Sequence, residues 1–170
     1  MKKATLSHPP PLTGKKVLTS SLGPPVALLL DTHIWVWSST GSKNFKAAAA
    51  RAIETAAAER RLFVSAASVW EIALKIQKGD LLISGDLRSW LRDQRRHPGV
   101  RVVPISGGLS VDSTTLPEWT RKSDKRPPED PSDRFIVAEA RRRNAVLITC
   151  DALMIDYARQ GNVVAFDARP

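Results

Sequence analysis

The sequence predicts an α/β fold in which a central, mostly parallel sheet lies between layers of helices. Short apolar runs of strand length alternate with segments of helical periodicity, and this alternation is typical of βαβ units. The chain has 170 residues, which suits one domain with a sizeable hydrophobic core. We find no internal repeat, and we expect one folded domain over residues 26–170.

The segment before this domain has a different composition. Residues 1–25 are rich in proline and also contain several serines, threonines and lysines. Such a composition resists packing, so we expect a flexible leader here.

The first half of the domain begins with a strand. Val26 to Leu30 is a short apolar run ending at an aspartate, as in a buried parallel strand. The alanine-rich segment 46–60 predicts a helix, and residues 62–64 predict a second strand. Ser65 can begin a helix that continues to Lys78 and ends at Gly79.

The second half repeats the alternation. Residues 86–96 predict a helix, residues 101–103 a strand closed by Pro104, and the polar, proline-containing stretch 116–128 a surface loop. The remaining predicted elements are a helix at 131–143, a strand at 146–149, a short helix at 152–159 and a last strand at 163–166.

Charge and composition limit the classes of function. The net charge of +9 favours a polyanionic partner, although an ordinary basic protein would show the same signal. No run approaches the roughly 18 apolar residues of a membrane helix, and no secretory signal is visible. The single cysteine, Cys150, excludes an internal disulfide and suits a cytoplasmic location.

Four carboxylates are placed where an α/β fold binds ligands. Asp31 and Asp151 follow apolar strands, and ligands of open α/β sheets bind outside the carboxyl ends of the strands. Glu71 lies beside the apolar stripe of helix 66–78, and Asp133 lies in the first turn of helix 131–143. We therefore treat Asp31, Glu71, Asp133 and Asp151 as one candidate site.

Each acid also has a structural explanation. Asp31 and Asp151 could cap the helices that follow them. Glu71 could form a capping box with Ser68 or an ion pair with Lys75. Asp130 is assigned first to capping helix 131–143, with a supporting role at the site second. The set of four favours a metal site, because oxygen-only ligands suit Mg²⁺ or Mn²⁺ and such ions can activate water for phosphodiester hydrolysis.

Four motifs around these acids resemble those of a known family. They are LLLDTHIWVW at 28–37, SAASVWEIALK at 65–75 followed by GDLL at 79–82, DPSDRFIVAEA at 130–140, and LITCD at 147–151. In this order they resemble the PIN-domain toxins of the VapC type, from VapBC toxin–antitoxin systems. The resemblance extends over about residues 26–167 and does not include the leader.

The resemblance implies a PIN-like three-layer α/β/α fold and an endoribonuclease that depends on Mg²⁺ or Mn²⁺. It places the metal-site acids at Asp31, Glu71, Asp133 and Asp151, with Asp130 as the alternative to Asp133. It gives the Thr149 hydroxyl a supporting role. It also implies an RNA substrate, a small VapB-like antitoxin as partner, and a homodimer.

Other residues have candidate roles beside the four acids. Arg134 could neutralise a phosphate or brace Asp130, and His33 is interpreted as structural rather than as a general base. The tryptophans at 35, 37, 70 and 90 are interpreted as core or dimer contacts. The predicted contacts with RNA or the antitoxin lie in the basic loop, at Trp119, Arg121, Lys122, Lys125 and Arg126.

Two alternative functions remain. A nuclease for RNA maturation or DNA repair would use the same chemistry, but the short chain and toxin-like motifs argue against it. A catalytically silent binding module would be expected to have lost at least one of the four acids, and all four are present.

Overall fold

The computed structural model describes residues 17–20, 22, 26–42, 44–96, 99–120 and 130–170. Within these residues there are six strands and seven helices. The strands are β1 (Val17–Leu18), β2 (Leu28–Leu30), β3 (Leu62–Ser65), β4 (Val100–Val103), β5 (Val146–Thr149) and β6 (Ala165–Asp167). The helices are α1 (Thr32–Ser39), α2 (Ala47–Ala58), α3 (Ala66–Lys78), α4 (Leu87–Arg96), α5 (Gly107–Thr114), α6 (Pro131–Arg143) and α7 (Ala152–Arg159).

The six strands form one sheet in the order β1-β6-β5-β2-β3-β4. Every neighbouring pair is parallel. The predicted α/β fold with a central parallel sheet is therefore confirmed. Strand β2 is central, because Leu29 lies opposite Phe63 of β3 on one side and Leu147 of β5 on the other.

The core is divided between the two faces of the sheet. Side chains alternate along a strand, so Leu28 and Leu30 of β2 pack into one apolar cluster and Leu29 into the other. The first cluster contains residues of α1 and α2, and the second contains residues of α6 and α7. The molecule thus has three layers, as the sequence predicts.

Two helices were not predicted from the sequence. Helix α1 begins at Thr32, directly after β2, and α5 occupies Gly107–Thr114. Both segments are short and contain residues with modest helix propensity, such as Thr32, Ile34 and two glycines in α5. Tertiary packing stabilises them, since Ile34 and Leu109 are buried.

Two residues of the leader form an edge strand of the sheet. Val17 and Leu18 pair with Ala165 and Phe166 at one edge of the sheet, so the prediction of a flexible segment is wrong for these two residues. They are held because parallel pairing satisfies the backbone groups of the edge strand. Residues 1–16, 21 and 23–25 lie outside the described residues.

The topology brings several segments to one edge of the sheet. Helices α1, α3 and α7 begin directly after β2, β3 and β5, at the carboxyl ends of those strands. Helix α6 ends two residues before β5 begins and packs against α3, so its first turn lies near the same edge. None of the described helices combines the length and apolar character that crossing a bilayer requires.

Candidate active site at the carboxyl edge of the sheet

Asp31 lies at the end of the central strand and is almost fully buried, with 3% of its surface exposed. It occupies the N-cap position of α1, but its side chain accepts no capping hydrogen bond from that helix. Its Oδ2 instead accepts a 2.7 Å hydrogen bond from the Thr149 hydroxyl at the end of β5. The capping explanation for the Asp31 side chain is therefore wrong.

Thr149 connects two of the candidate acids. Its hydroxyl donates to Asp31 and accepts a 2.9 Å hydrogen bond from the backbone N–H of Asp151. Asp151 in turn caps α7, because its Oδ1 accepts from the Met154 N–H at 2.8 Å. Capping thus explains one oxygen of Asp151 and leaves the other for a second partner.

Glu71 is held by hydroxyl groups from two other helices. Its carboxylate is buried, with 6% exposure, and its Oε2 accepts a 2.6 Å hydrogen bond from Thr32 Oγ1 of α1. Ser132 Oγ of α6 lies 3.0 Å from the same oxygen. The predicted ion pair with Lys75 is also present, at 3.5 Å from Oε1.

The predicted capping box between Ser68 and Glu71 is wrong. The N-cap of α3 is Ser65, whose hydroxyl accepts from the Ala67 N–H. The Ser68 hydroxyl is buried and has no hydrogen-bond partner within the part of the chain that the structure describes. The burial of Glu71 is therefore not explained by the start of its own helix.

Asp130 has the capping role that the sequence predicts. Its Oδ1 accepts from the Ser132 N–H at 2.9 Å, at the start of α6. The Ser132 hydroxyl lies 2.7 Å from the same oxygen. Since a serine hydroxyl has one proton, Ser132 can donate it to Asp130 or to Glu71, and it links the α6 cap to the Glu71 carboxylate.

Sequence reasoning missed Thr32 and Ser132. Both are fully or almost fully buried hydroxyls that contact Glu71 from elements far away in the chain. The available signal was a hydroxyl residue one position after Asp31 and another two positions after Asp130. Such residues are so common at helix starts that the signal does not separate capping from site support.

The charges of the four acids act on one another. The pKa of Asp133 is raised to about 8, first by burial and then by the neighbouring charges of Asp31, Asp130, Asp151 and Glu71. The pKa of Asp31 is raised to about 6, mainly by burial, although the hydrogen bond from Thr149 and the charge of His33 lower it. The structure thus brings the four predicted acids into one electrostatically connected cluster, which we call the acidic cluster.

The acidic cluster suits a divalent cation in its chemistry. Its donors are carboxylate oxygens, the ligand type that Mg²⁺ and Mn²⁺ prefer. A buried carboxylate such as Asp31 is costly without a positive partner, and the raised pKa of Asp31 and of Asp133 expresses that cost. Among the described residues, however, no three His, Cys, Asp or Glu side chains lie close enough together to form a ready ligand group.

The hydrogen bond that the Arg134 guanidinium donates goes to α5 and not to the acidic cluster. Its Nε donates to the Ser113 carbonyl at the end of α5, at 2.9 Å. The predicted bracing of Asp130 is therefore not what this structure shows. Arg134 instead connects α6 to α5.

Trp119 is buried, and its assignment to an exposed contact surface is wrong. Its exposure is 3%, and its ring stacks on Tyr157 with the centroids 4.6 Å apart. Polar neighbours in the sequence suggested a solvated loop, but Trp119 packs into the apolar cluster beneath α6 and α7. The other four predicted contacts, Arg121, Lys122, Lys125 and Arg126, lie outside the described residues.

The remaining tryptophans differ in burial. Trp35 is in the core, and its ring centroid lies 4.9 Å from that of Trp90. Trp70, next to Glu71 in α3, is 48% exposed. Trp35 thus belongs to the core as predicted, whereas Trp70 presents apolar surface to the solvent.

Comparison with known proteins identifies the family. The PIN domain matches residues 28–160. Over 124 residues the chain is 32% identical to Ribonuclease VapC22 of Mycobacterium tuberculosis (strain ATCC 25618 / H37Rv), covering 73% of this chain and 86% of that protein. The chain is a member of the PIN-domain family, of the VapC type.

Solved structures share the PIN-domain fold at low identity. VapBC2 from Rickettsia felis, bound to a DNA fragment from its promoter, has a TM-score of 0.57 at 17% identity, over 82% of this chain and 96% of that one. FitAcB from Neisseria gonorrhoeae has a TM-score of 0.54 at 20% identity, over 82% and 96%. FitAB bound to an IR36 DNA fragment has a TM-score of 0.52 at 19% identity, over 82% and 92%. At these identities the similarity supports the fold alone.

Proposed function

We propose that this PIN domain is a metal-dependent endoribonuclease and the toxin of a toxin–antitoxin pair. The observation that carries the proposal is the buried carboxylate of Asp31 within a group of acids whose charges raise the pKa of Asp31 and of Asp133. A cation-binding site for phosphodiester chemistry explains it, and the similarity to a ribonuclease supports it.

We assign the cation, Mg²⁺ or Mn²⁺, to Asp31, Glu71, Asp133 and Asp151. When bound, it would supply activation of water and neutralisation of the scissile phosphate. Thr149 fixes the orientation of Asp31, and Thr32 and Ser132 fix that of Glu71. Asp133 retains a proton near neutral pH until positive charge is present, so cation binding and proton release are coupled.

The rest of the molecule suits an RNA substrate and a protein partner. A strongly basic chain attracts the phosphate backbone, which carries no sequence information. We propose a small VapB-like antitoxin, a homodimer and a cytoplasmic location from the family resemblance. Trp70 gives the surface beside Glu71 an apolar contact of the kind found in protein interfaces.

RNA cleavage by the antitoxin-free chain tests the activity. Labelled total RNA is incubated with the chain in Mg²⁺, in Mn²⁺ and in EDTA, beside Asp31→Asn and Asp151→Asn. Glu54→Gln is the matched control, since Glu54 is an exposed acid in α2. We expect discrete products from the wild type and Glu54→Gln in metal, and none in EDTA or from the Asp31 and Asp151 variants.

Two results would contradict the proposal. Cleavage that persists equally in EDTA and in Asp31→Asn would come from a contaminating nuclease. Absence of cleavage from a folded protein that binds Mg²⁺ would favour a binding module. Growth arrest on expression, relieved by the gene product encoded beside it, tests the toxin assignment separately.

A further inference from the structure

A cluster of arginines surrounds Phe63 at the end of α6 that is opposite to the acidic cluster. A pocket of about 310 Å³ is lined by Phe63, Glu139, Arg142 and Arg143. The guanidinium carbon of Arg143 lies 4.8 Å from the centroid of the Phe63 ring, and that of Arg101 lies 5.5 Å from it. We call the four lining residues, together with Arg101, the Phe63 pocket.

The stacking on Phe63 orients the arginines for an anion. A guanidinium that lies over an aromatic ring uses its face for the contact. Its N–H groups point outward in the plane, so they stay available for the two parallel hydrogen bonds that a phosphate accepts. Phe63 thereby holds two flexible side chains in place before a ligand arrives, which reduces the entropy lost on binding.

The Phe63 pocket keeps positive charge after its internal ion pairs are counted. Arg143 donates through Nε to the buried Glu139, which leaves its terminal nitrogens. Arg142 contacts Asp112 of α5 at 2.9 Å through one terminal nitrogen. Arg101 is exposed and has no carboxylate partner among the described residues. Three guanidinium groups are thus balanced by two carboxylates, which leaves one positive charge without a partner of opposite sign in the part of the chain that the structure describes.

Helix α6 relates the Phe63 pocket to the acidic cluster. Asp133 is in its first turn and Arg143 is its last residue, so about 15 Å of helix separate them at about 1.5 Å per residue. A stacked nucleic-acid strand advances about 3.4 Å per nucleotide, so roughly four to five nucleotides cover this distance.

We infer that the Phe63 pocket binds a backbone phosphate of the RNA substrate, several nucleotides from the bond that the acidic cluster cleaves. This inference rests on the proposed ribonuclease function and adds a minimum length to its substrate. Phosphate binding here is independent of the base sequence. It distinguishes RNA that extends beyond the acidic cluster from RNA that ends there.

Binding of labelled RNA in EDTA tests the inference, because cleavage is then blocked and the acidic cluster repels phosphate. Fluorescence anisotropy is measured with a 15-nucleotide single-stranded RNA at several KCl concentrations. The variants are Arg101→Gln and Arg101→Glu. Arg88→Gln is the matched control, because Arg88 is an exposed arginine in α4, which packs on the other apolar cluster. Thermal melting confirms that every variant is folded.

We expect Arg101→Gln to weaken binding of the 15-nucleotide RNA about three- to tenfold and to reduce the slope of log K against log [KCl] by about 0.7, the value for one phosphate contact to a single strand. Arg101→Glu should weaken it further, because it replaces the positive charge with a negative one. Equal effects of Arg101→Gln and Arg88→Gln on the 15-nucleotide RNA would overturn the inference.

Cleavage by the wild type in Mg²⁺, measured in parallel, separates the two proposals. Cleavage together with equal binding by Arg101→Gln and Arg88→Gln would reject the pocket and leave the ribonuclease function standing. No cleavage, with a loss of binding specific to Arg101→Gln, would reject the ribonuclease function and retain the pocket as an RNA site.

Discussion

The Thr149 hydroxyl donates a 2.7 Å hydrogen bond to the Asp31 carboxylate, although 118 positions of sequence separate the two residues. This bond joins the ends of two adjacent parallel strands, β2 and β5. It also lowers the pKa of Asp31 against the opposing effect of burial. Thr149 is therefore a positioning residue whose loss should change the protonation of Asp31.

The Thr149→Val variant tests this role. Without the hydroxyl, the pKa of Asp31 should rise further above about 6, because the carboxylate loses a donor that favours its charged form. We expect the pH–rate profile of RNA cleavage to move to higher pH, with a loss of about fivefold at pH 6 that approaches about tenfold at lower pH, for a rise of roughly one pKa unit. Thr149→Ser keeps the hydroxyl and should retain the wild-type profile. A uniform loss of rate at all pH values would indicate a packing defect instead.

The pH dependence of stability follows from Asp133. Its pKa is raised to about 8 in the folded chain, so between about pH 4 and 8 the folded state binds more protons than the unfolded state. In EDTA the free energy of unfolding should therefore be highest below about pH 4, and it should decline as the pH rises from there through 8. Urea unfolding at a series of pH values in EDTA measures this decline.

The Asp133→Asn variant should have a higher free energy of unfolding than the wild type when no metal is present. Asparagine cannot lose a proton, so in EDTA at pH 8 the variant should be more stable than the wild type, by at most about 5 kcal/mol for a shift of roughly four pKa units. In Mg²⁺ the order should invert, because only the wild type gains stability from binding the cation. If the free energy of unfolding in EDTA depended on pH equally in the two proteins, the raised pKa of Asp133 would be refuted.

The Ser132→Ala variant should weaken cation binding more than it destabilises the fold. Its hydroxyl lies within hydrogen-bond distance of both Glu71 and Asp130, but Glu71 keeps the bond from Thr32 and Asp130 keeps the bond from the Ser132 N–H. We expect a loss of about 1 kcal/mol in unfolding free energy. Calorimetric titration with Mn²⁺ should show a several-fold weaker affinity, as second-layer substitutions cause about 10- to 100-fold losses in some metal sites. Unchanged Mn²⁺ affinity would assign Ser132 to the helix cap alone.

Substitution of Trp119 should affect stability rather than RNA binding. Its ring is buried against Tyr157, so Trp119→Ala should cost roughly 3–5 kcal/mol of unfolding free energy. Its indole N–H is buried and has no partner among the described residues, so Trp119→Phe loses none of the hydrogen bonds described and should cost much less. The RNA affinity of folded Trp119→Phe should equal that of the wild type. A selective loss of RNA affinity in this variant would restore Trp119 to a contact role.

The sequence was sufficient for the parts of the structure that depend on local pattern. Strand β5 and helices α3 and α6 have the predicted bounds, because long apolar periodicity, the N-cap Ser65, Gly79 and the Asp130-Pro131 start leave little freedom. The grouping of the four acids could also be predicted, since parallel strands and the helices around them share one edge.

The remaining features depend on contacts between distant segments. The hydroxyls of Thr32 and Ser132 resemble ordinary cap residues until α1, α3 and α6 are placed side by side. Trp119 looked exposed because its sequence neighbours are polar, and only the position of Tyr157 beneath it explains its burial. The pairing of Val17 and Leu18 with β6 gives no local signal, since two residues are too few to show a period.

The position of β2 in the middle of the sheet affects when the chain can become active during synthesis. Leu28 to Leu30 pair with β3 soon after they are made, but their other neighbour is β5, at residues 146–149. Asp31 therefore lacks Thr149 and Asp151 until nearly the whole domain has left the ribosome. Any fragment that ends before β5 has an open central strand and an incomplete acidic cluster. Premature termination should consequently yield products that cannot cut RNA, and a cell that makes such a protein is protected from its own unfinished copies.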